Sequence, residues 1–393
     1  MFFIIFYFYY YFILLLYIMS SFDGILFHSA QPEARQATYI EYNNVDFVLA
    51  VGEGRSLMRN SVRINGDIEI TTDGTARPAG KVYLDPRIGV HACIDSLQTN
   101  FSGGTNAGVK EVINNYGRWV TMDAIGTINE DDYNSGKNLC EQRCPTELAS
   151  GAIAKGVVTL GTTPQTRDMD FSLKPHCVLN KMTGDHLPFE KSGDIRFTVN
   201  LARNMSALMG ANQGTGATYN LKNLHVSYSS LPTNGNPMQT ATAMRSVYNV
   251  KSTILSGSAN IQAQVPATCD ACSCSFQMQG RENVNVFSNY DCHTVPGIRN
   301  LEFLFNDATN KYISYQMNDQ NEMIHRYIDS FKNTGHNQMM LDTFRTNKGF
   351  GVGLHFQGFV NLSNQRFAVQ LDSDIDNQHP YNLYLYFHSL ISA

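Results

Sequence analysis

Three clusters in this 393-residue chain have residue types and spacings that could do chemistry. Cys269-x-x-Cys272-x-Cys274, with Cys292-His293 further on, offers thiolates and an imidazole at a spacing that suits zinc. Against zinc, Cys272, Cys274, Phe276 and Met278 alternate with Ser273, Ser275, Gln277 and Gln279. That period puts the thiols on the apolar face of a strand, where cysteine acts as a small hydrophobe, so no metal is expected. Gly349-x-Gly351-x-Gly353 resembles a phosphate-cradling loop only in part. The third glycine of a dinucleotide fingerprint would fall on Leu354, and no Gly-Lys-Ser/Thr occurs. The glycines are read instead as room on one strand face for close sheet packing. Asp372-x-Asp374-x-Asp376-Asn377 starts like a calcium loop, but Asn377 stands where glycine is needed and Leu383 where glutamate is needed, so a solvated turn is expected.

The eleven histidines are scattered, and there is no His-x-His pair, no Gly-x-Ser-x-Gly elbow and no His-Glu-x-x-His helix. His355 stands alone, without the paired histidine of a cupin-type metal site. Cys140-x3-Cys144 has no partner pair, and the eight cysteines form no disulfide framework, a usage that fits a reducing compartment. Asn100-Phe101-Ser102, Asn204-Met205-Ser206 and Asn361-Leu362-Ser363 are formal glycosylation sequons of the kind a Ser- and Asn-rich chain contains by chance. No catalytic, cofactor-binding or metal-ligating residue is assigned.

The elements that would position any such groups are mostly strands. Val62, Ile64, Ile68 and Ile70 alternate with Arg63, Asn65, Asp67 and Glu69, the pattern of a half-buried strand, although Asn65-Gly66 could fold it into a hairpin. Between Ile94 and Trp119 the helical spacing of Val109, Val112, Ile113 and Tyr116 predicts a short helix between strands. Asp123 to Ala154, with Glu130-Asp131-Asp132, reads as an exposed polar excursion. Asn318 to Phe331 carries Met323, Ile324, Tyr327, Ile328 and Phe331 on one side and is the clearest helix. Charged residues make up only 16% of the chain, net charge is -5, and no Lys/Arg run occurs, so a nucleic-acid-binding surface is not expected.

One signature occurs twice. Arg196-Phe197-Thr198-Val199-Asn200-Leu201 is followed by Tyr219-Asn220-Leu221, and Arg366-Phe367-Ala368-Val369-Gln370-Leu371 by Tyr381-Asn382-Leu383. In both, Phe, Val and Leu share one face of a strand and Tyr-Asn-Leu opens the next. The repeat divides the chain into a first β-domain over 39–231, a linker over 232–242 with the stretch from Ser229 rich in turn residues, and a second β-domain over 243–393. Residues 19–38 read as an N-terminal arm. Residues 1–18 are an uncharged apolar extension, long enough to cross a bilayer but with no flanking basic residue before Arg35. They are read as an upstream extension ahead of a start at Met19 and dispensable for the fold, with a membrane anchor or signal as the alternative.

Two tandem all-β domains with short helices in the inter-strand excursions, together with the segments Gly89-Val90-His91 to Trp119 and Ser192 to Leu231, resemble the double jelly-roll, hexon-like capsid proteins of adenoviruses, virophages, polinton-like viruses and tailless icosahedral phages. The resemblance covers about Tyr39 to Ala393 and rests on no invariant motif; the chain is short for eukaryotic members and its second half is the smaller. It implies a major capsid protein of the virion, assembled inside the host cell as a homotrimer that forms a pseudo-hexagonal tile. Partners would be neighbouring capsomers and penton and minor capsid proteins, with contact to an internal membrane left open. It implies no enzyme activity and no cofactor. A penton or other minor capsid protein is the alternative within that lineage; a glycan-binding jelly roll and a bicupin metalloenzyme are alternatives outside it.

Overall fold

The computed structural model describes residues 24–74, 81–85, 87–127, 140–142, 158–159, 164–209, 216–235, 238–282, 290, 295–306, 312–317, 319–333, 351–363 and 365–393. The expectations for 1–18, Cys144, Cys292-His293 and Gly349 fall outside these residues.

The first half runs β1 (Leu26–Ala30), β2 (Asn44–Leu49), β3 (Arg55–Met58), β4 (Arg63–Thr71), β5 (Lys81–Leu84), β6 (Ile94–Phe101), β7 (Gly108–Asn114), helix α1 (Tyr116–Thr127), β8 (Val158–Thr159), β9 (Thr166–Leu173), β10 (His186–Pro188), β11 (Ile195–Leu201), β12 (Leu208–Met209) and β13 (Thr218–Pro232). The second runs β14 (Ala243–Ile254), β15 (Ser258–Gln264), β16 (Thr268–Met278), β17 (Asn300–Asn306), β18 (Tyr312–Met317), helix α2 (Gln320–Ser330), β19 (Gly351–Asn361), β20 (Arg366–Asp372) and β21 (Tyr381–Ser392).

In the first half, one sheet has the order β1-β13-β4-β9 and faces β2-β11-β6-β7; in the second, β14-β21-β16-β19 faces β15-β20-β17-β18. Setting aside the short strands β3, β5, β8, β10 and β12, each half therefore reads first-eighth-third-sixth against second-seventh-fourth-fifth. That is one jelly roll per half. The duplicated signature occupies equivalent places: the two Arg-Phe-x-Val-x-Leu runs are the seventh strands, β11 and β20, and the two Tyr-Asn-Leu runs lie at the start of the eighth, β13 and β21. Phe197 and Phe367 are both fully buried, one in each of the two apolar clusters.

The halves also share a sheet. β7 meets β14 in parallel at the single register pair Tyr248↔Val112, which makes a continuous eight-stranded sheet from β2 to β19. Register then fixes which core each face serves. Phe197, Leu97, Ile113 and Val247 point into the first cluster, whereas Tyr248 lies beside Phe387, on the face that supplies Cys272, Cys274 and Leu385 to the second. One ribbon thus lends opposite faces to the two cores.

The structure departs from the sequence reading in several places. Leu26–Ala30, expected in a loose arm, pairs with Val226–Ser230 and closes the first sandwich. The strand reading of Val62 to Ile70, by contrast, holds: β4 runs straight through Asn65-Gly66 rather than taking the alternative hairpin, and a Cβ at Gly66 would lie 2.7 Å from the Lys222 carbonyl, at the bulge in β13. Val109 to Ile113 are strand rather than helix, because β7 pairs with β6 along its length, and the helix begins at Tyr116. Ser229–Pro232 remain in β13, held by β1 and β3. Asp123, the expected start of the exposed excursion, lies inside α1 and is 1% exposed, and Glu130-Asp131-Asp132 fall outside the described residues.

Helix α2 and the glycines of β19 explain each other. Asp319 caps the helix by accepting from the amides of Asn321 and Glu322. Its Tyr327 and Ser330 press on β19, where a Cβ at Gly351 would be 2.5 Å from the Tyr327 ring and one at Gly353 2.5 Å from the Ser330 hydroxyl. The glycines make room for a helix, not for a second sheet. Gly351→Ala is expected to lower unfolding free energy by about 1–3 kcal/mol. Urea titration, with amide exchange across α2 as the local readout, checks it; a neutral substitution would mean that Tyr327 yields freely.

Candidate functional site: the buried seam between the sandwiches

The thiol-bearing strand β16 folds as its alternation predicts, with one addition. Its polar face is buried too: Ser273, Ser275 and Gln277 are all 0% exposed, because α1 and α2 cover the side of the inner sheet that faces away from the second core. The result is a polar layer sealed between the halves.

Helix α1 runs through that layer. It begins after Asn115, which holds a positive φ and accepts from the Trp119 amide. Every residue from Tyr116 to Ala124 is buried, so this stretch has no solvent face and its polar side chains must find partners. Arg118 donates to Gln277 on β16 and lies 4.3 Å over the Tyr384 ring. Asp123 Oδ2 is 2.6 Å from both Lys181 Nζ and His176 Nδ1. Burial alone would raise the Asp123 pKa, but the Lys181 ammonium and His176 outweigh it and hold the carboxyl well below the ordinary aspartate range. The His176 amide donates to the Tyr116 hydroxyl, and that hydroxyl also meets His91 Nδ1 at 3.1 Å.

The sole tryptophan marks the centre of the seam. Trp119 donates through Nε1 to the His176 carbonyl, lies beneath the Lys181 ammonium, and packs on Tyr386 and Phe331 with His388 edge-on. Ser273 and His388 Nε2 are hydrogen-bonded at 2.8 Å, and burial pushes the His388 pKa down to about 4, so that imidazole is neutral near pH 7. Further along β16, Asp270 accepts from Arg245 and from Asn333, and Asn333 also reaches His355 Nε2.

Chemically, the layer holds groups in place. A cavity of about 20 Å³ beside Arg118, Asp95, Tyr290 and Tyr384 has room for about one water and none for an organic substrate. Among the described residues no three His, Cys, Asp or Glu side chains gather as a metal site. Burial raises the Cys269 thiol to about 12 and the Cys272 thiol well above its ordinary value, so neither is a ready thiolate ligand. Asp372 and Asp374 are both paired with Arg299, and Asp376 caps the turn to His379, which leaves the acidic run a hydrogen-bonded surface turn. The sequence marked none of the seam residues for function; the available signal was the polar alternation of β16, which needs a polar surface opposite it.

No protein-family model and no curated protein sequence matches the chain. Solved structures do. The Faustovirus major capsid protein superimposes with a TM-score of 0.65 over 94% of this chain and 90% of its own, at 8% identity. A chain from the Sputnik virophage gives 0.55 over 93% and 86%, at 10% identity. The STIV MCP gives 0.51 over 93% and 97%, at 9% identity. At such identities the likeness is one of fold, and the fold is the double jelly roll.

Proposed function

We propose that the protein is a viral major capsid protein, which forms trimers that tile an icosahedral shell and resides in the virion. The observation that carries this reading is the match of both jelly rolls, over nine-tenths of each chain, to the Faustovirus major capsid protein. The identical strand order of the two halves supports the major role over a vertex protein. Three copies of a two-sandwich chain present six similar walls, and six similar walls fill a hexagonal tile. Ring closure then requires a heterologous contact, the first sandwich of one subunit against the second sandwich of the next. The function assigned to the chain is geometric, and no residue is given a catalytic role.

The expected result is a trimer in native mass spectrometry at micromolar concentration, with subunit contacts well above the ~1,000 Å² of a specific interface, and closed particles by electron microscopy. A pentamer would move the assignment to the vertex. A persistent monomer or dimer would overturn it in favour of a glycan-binding module or an enzyme.

A further inference from the structure

The two sandwiches meet in the shared sheet at one ladder position, and the side chain beside that position is unusual. Glu111 lies on β7 and is 3% exposed. Its Oε2 accepts from the Val178 amide of the first half at 2.9 Å, and its Oε1 from the Val247 amide of β14 at 3.0 Å. A carboxylate here does what a run of ladder carbonyls does elsewhere. We propose that Glu111 is a proton-binding latch at the junction: it bridges the two halves through their backbone amides, and the neutral acid, which buries no net charge there, holds them more firmly than the carboxylate does.

The surroundings favour a protonation change at this group. Lys181 faces it from the segment after Val178, but that ammonium is already committed to Asp123 and to the Trp119 ring. Cys177, in the same segment, has its thiol pushed up to about 12, first by burial and then by Glu111 itself, and stays neutral. From β14 come Ser246 and Val247, and from β21 His388, the cross-strand partner of Val247, which is neutral above about 4. From β6 comes Thr99, in register with Glu111, whose hydroxyl is buried with no partner. Desolvation therefore outweighs the two amides and Lys181 and lifts the Glu111 pKa to about 7.

Because the folded pKa is raised, the native state holds a proton that the unfolded chain gives up near 4.5. The associated stability is fully present below about 4.5, is lost as pH rises to about 7, and is flat above that. The difference between wild type and Glu111→Gln isolates this from other carboxylates. Urea unfolding followed by Trp119 fluorescence should show the wild-type folding constant falling, relative to Glu111→Gln, about tenfold per pH unit across that window. A constant or opposite difference would overturn the proposal. Carboxyl-13C glutamate NMR of the wild type tests it even if the variant does not fold: one glutamate must titrate near neutrality, and ordinary titration of every glutamate would equally overturn the latch. Neither measurement depends on the capsid reading.

Discussion

Phe197→Ala and Phe367→Ala should each cost about 3–5 kcal/mol of unfolding free energy, the range for emptying a fully buried aromatic site. Both rings are 0% exposed and occupy the same position of the seventh strand in their halves. Phe367 sits among Phe303, Phe305, Phe356 and Phe387, with ring centroids 4.9–6.3 Å away. Phe197 is cross-strand from Phe47. The rings belong to different clusters, so the double variant should show the sum of the two losses to within about 0.5 kcal/mol. Chemical denaturation of the three variants checks both statements. If one substitution proved neutral, the equivalence of the two halves would be confined to topology.

The second large effect lies in the seam. Asp123→Ala removes the carboxylate that Lys181 and His176 share inside the fold, and stranding such a buried pair costs about 3–5 kcal/mol. Acid gives the corroborating sign. The folded pKa of Asp123 is depressed, so its contribution is present above the ordinary value of 3.8 and is lost as pH falls below it. The stability gap between wild type and Asp123→Asn should therefore be full at neutral pH and close on acidification. A gap independent of pH would assign the loss to packing of α1 instead.

Legibility from sequence followed the range of the forces involved. The alternation of Ile64, Ile68 and Ile70 and the stripe of Met323, Tyr327 and Phe331 were readable because one element against one core leaves a periodic trace. The repeat was readable because seventh and eighth strands in both halves meet the same packing demands. β1 left no trace: Leu-Phe-His-Ser-Ala does not alternate, and its bond from His28 reaches Ser230, 202 residues away. Helix α1 was hidden because it is buried all round from Tyr116 to Ala124, which erases the stripe, and because Arg118 and Asp123 read as solvent-facing charges until their partners are known. Glu111 was invisible for the same reason, since a lone glutamate in a strand says nothing about which amides it will meet.

The junction of β7 with β14 also bears on synthesis. When the ribosome has delivered Pro232, every strand of the first jelly roll exists, and β7 stands at its margin as a bare hydrogen-bonding edge open to any nascent neighbour. The strand that covers it, Ala243–Ile254, is the next one made. At typical elongation rates the residues from the end of β13 to the end of that strand take about 1–4 s. Placing the covering strand immediately downstream keeps that exposure brief, and a circular permutant that translated the second half's β14 last would leave the edge open for the length of the whole chain.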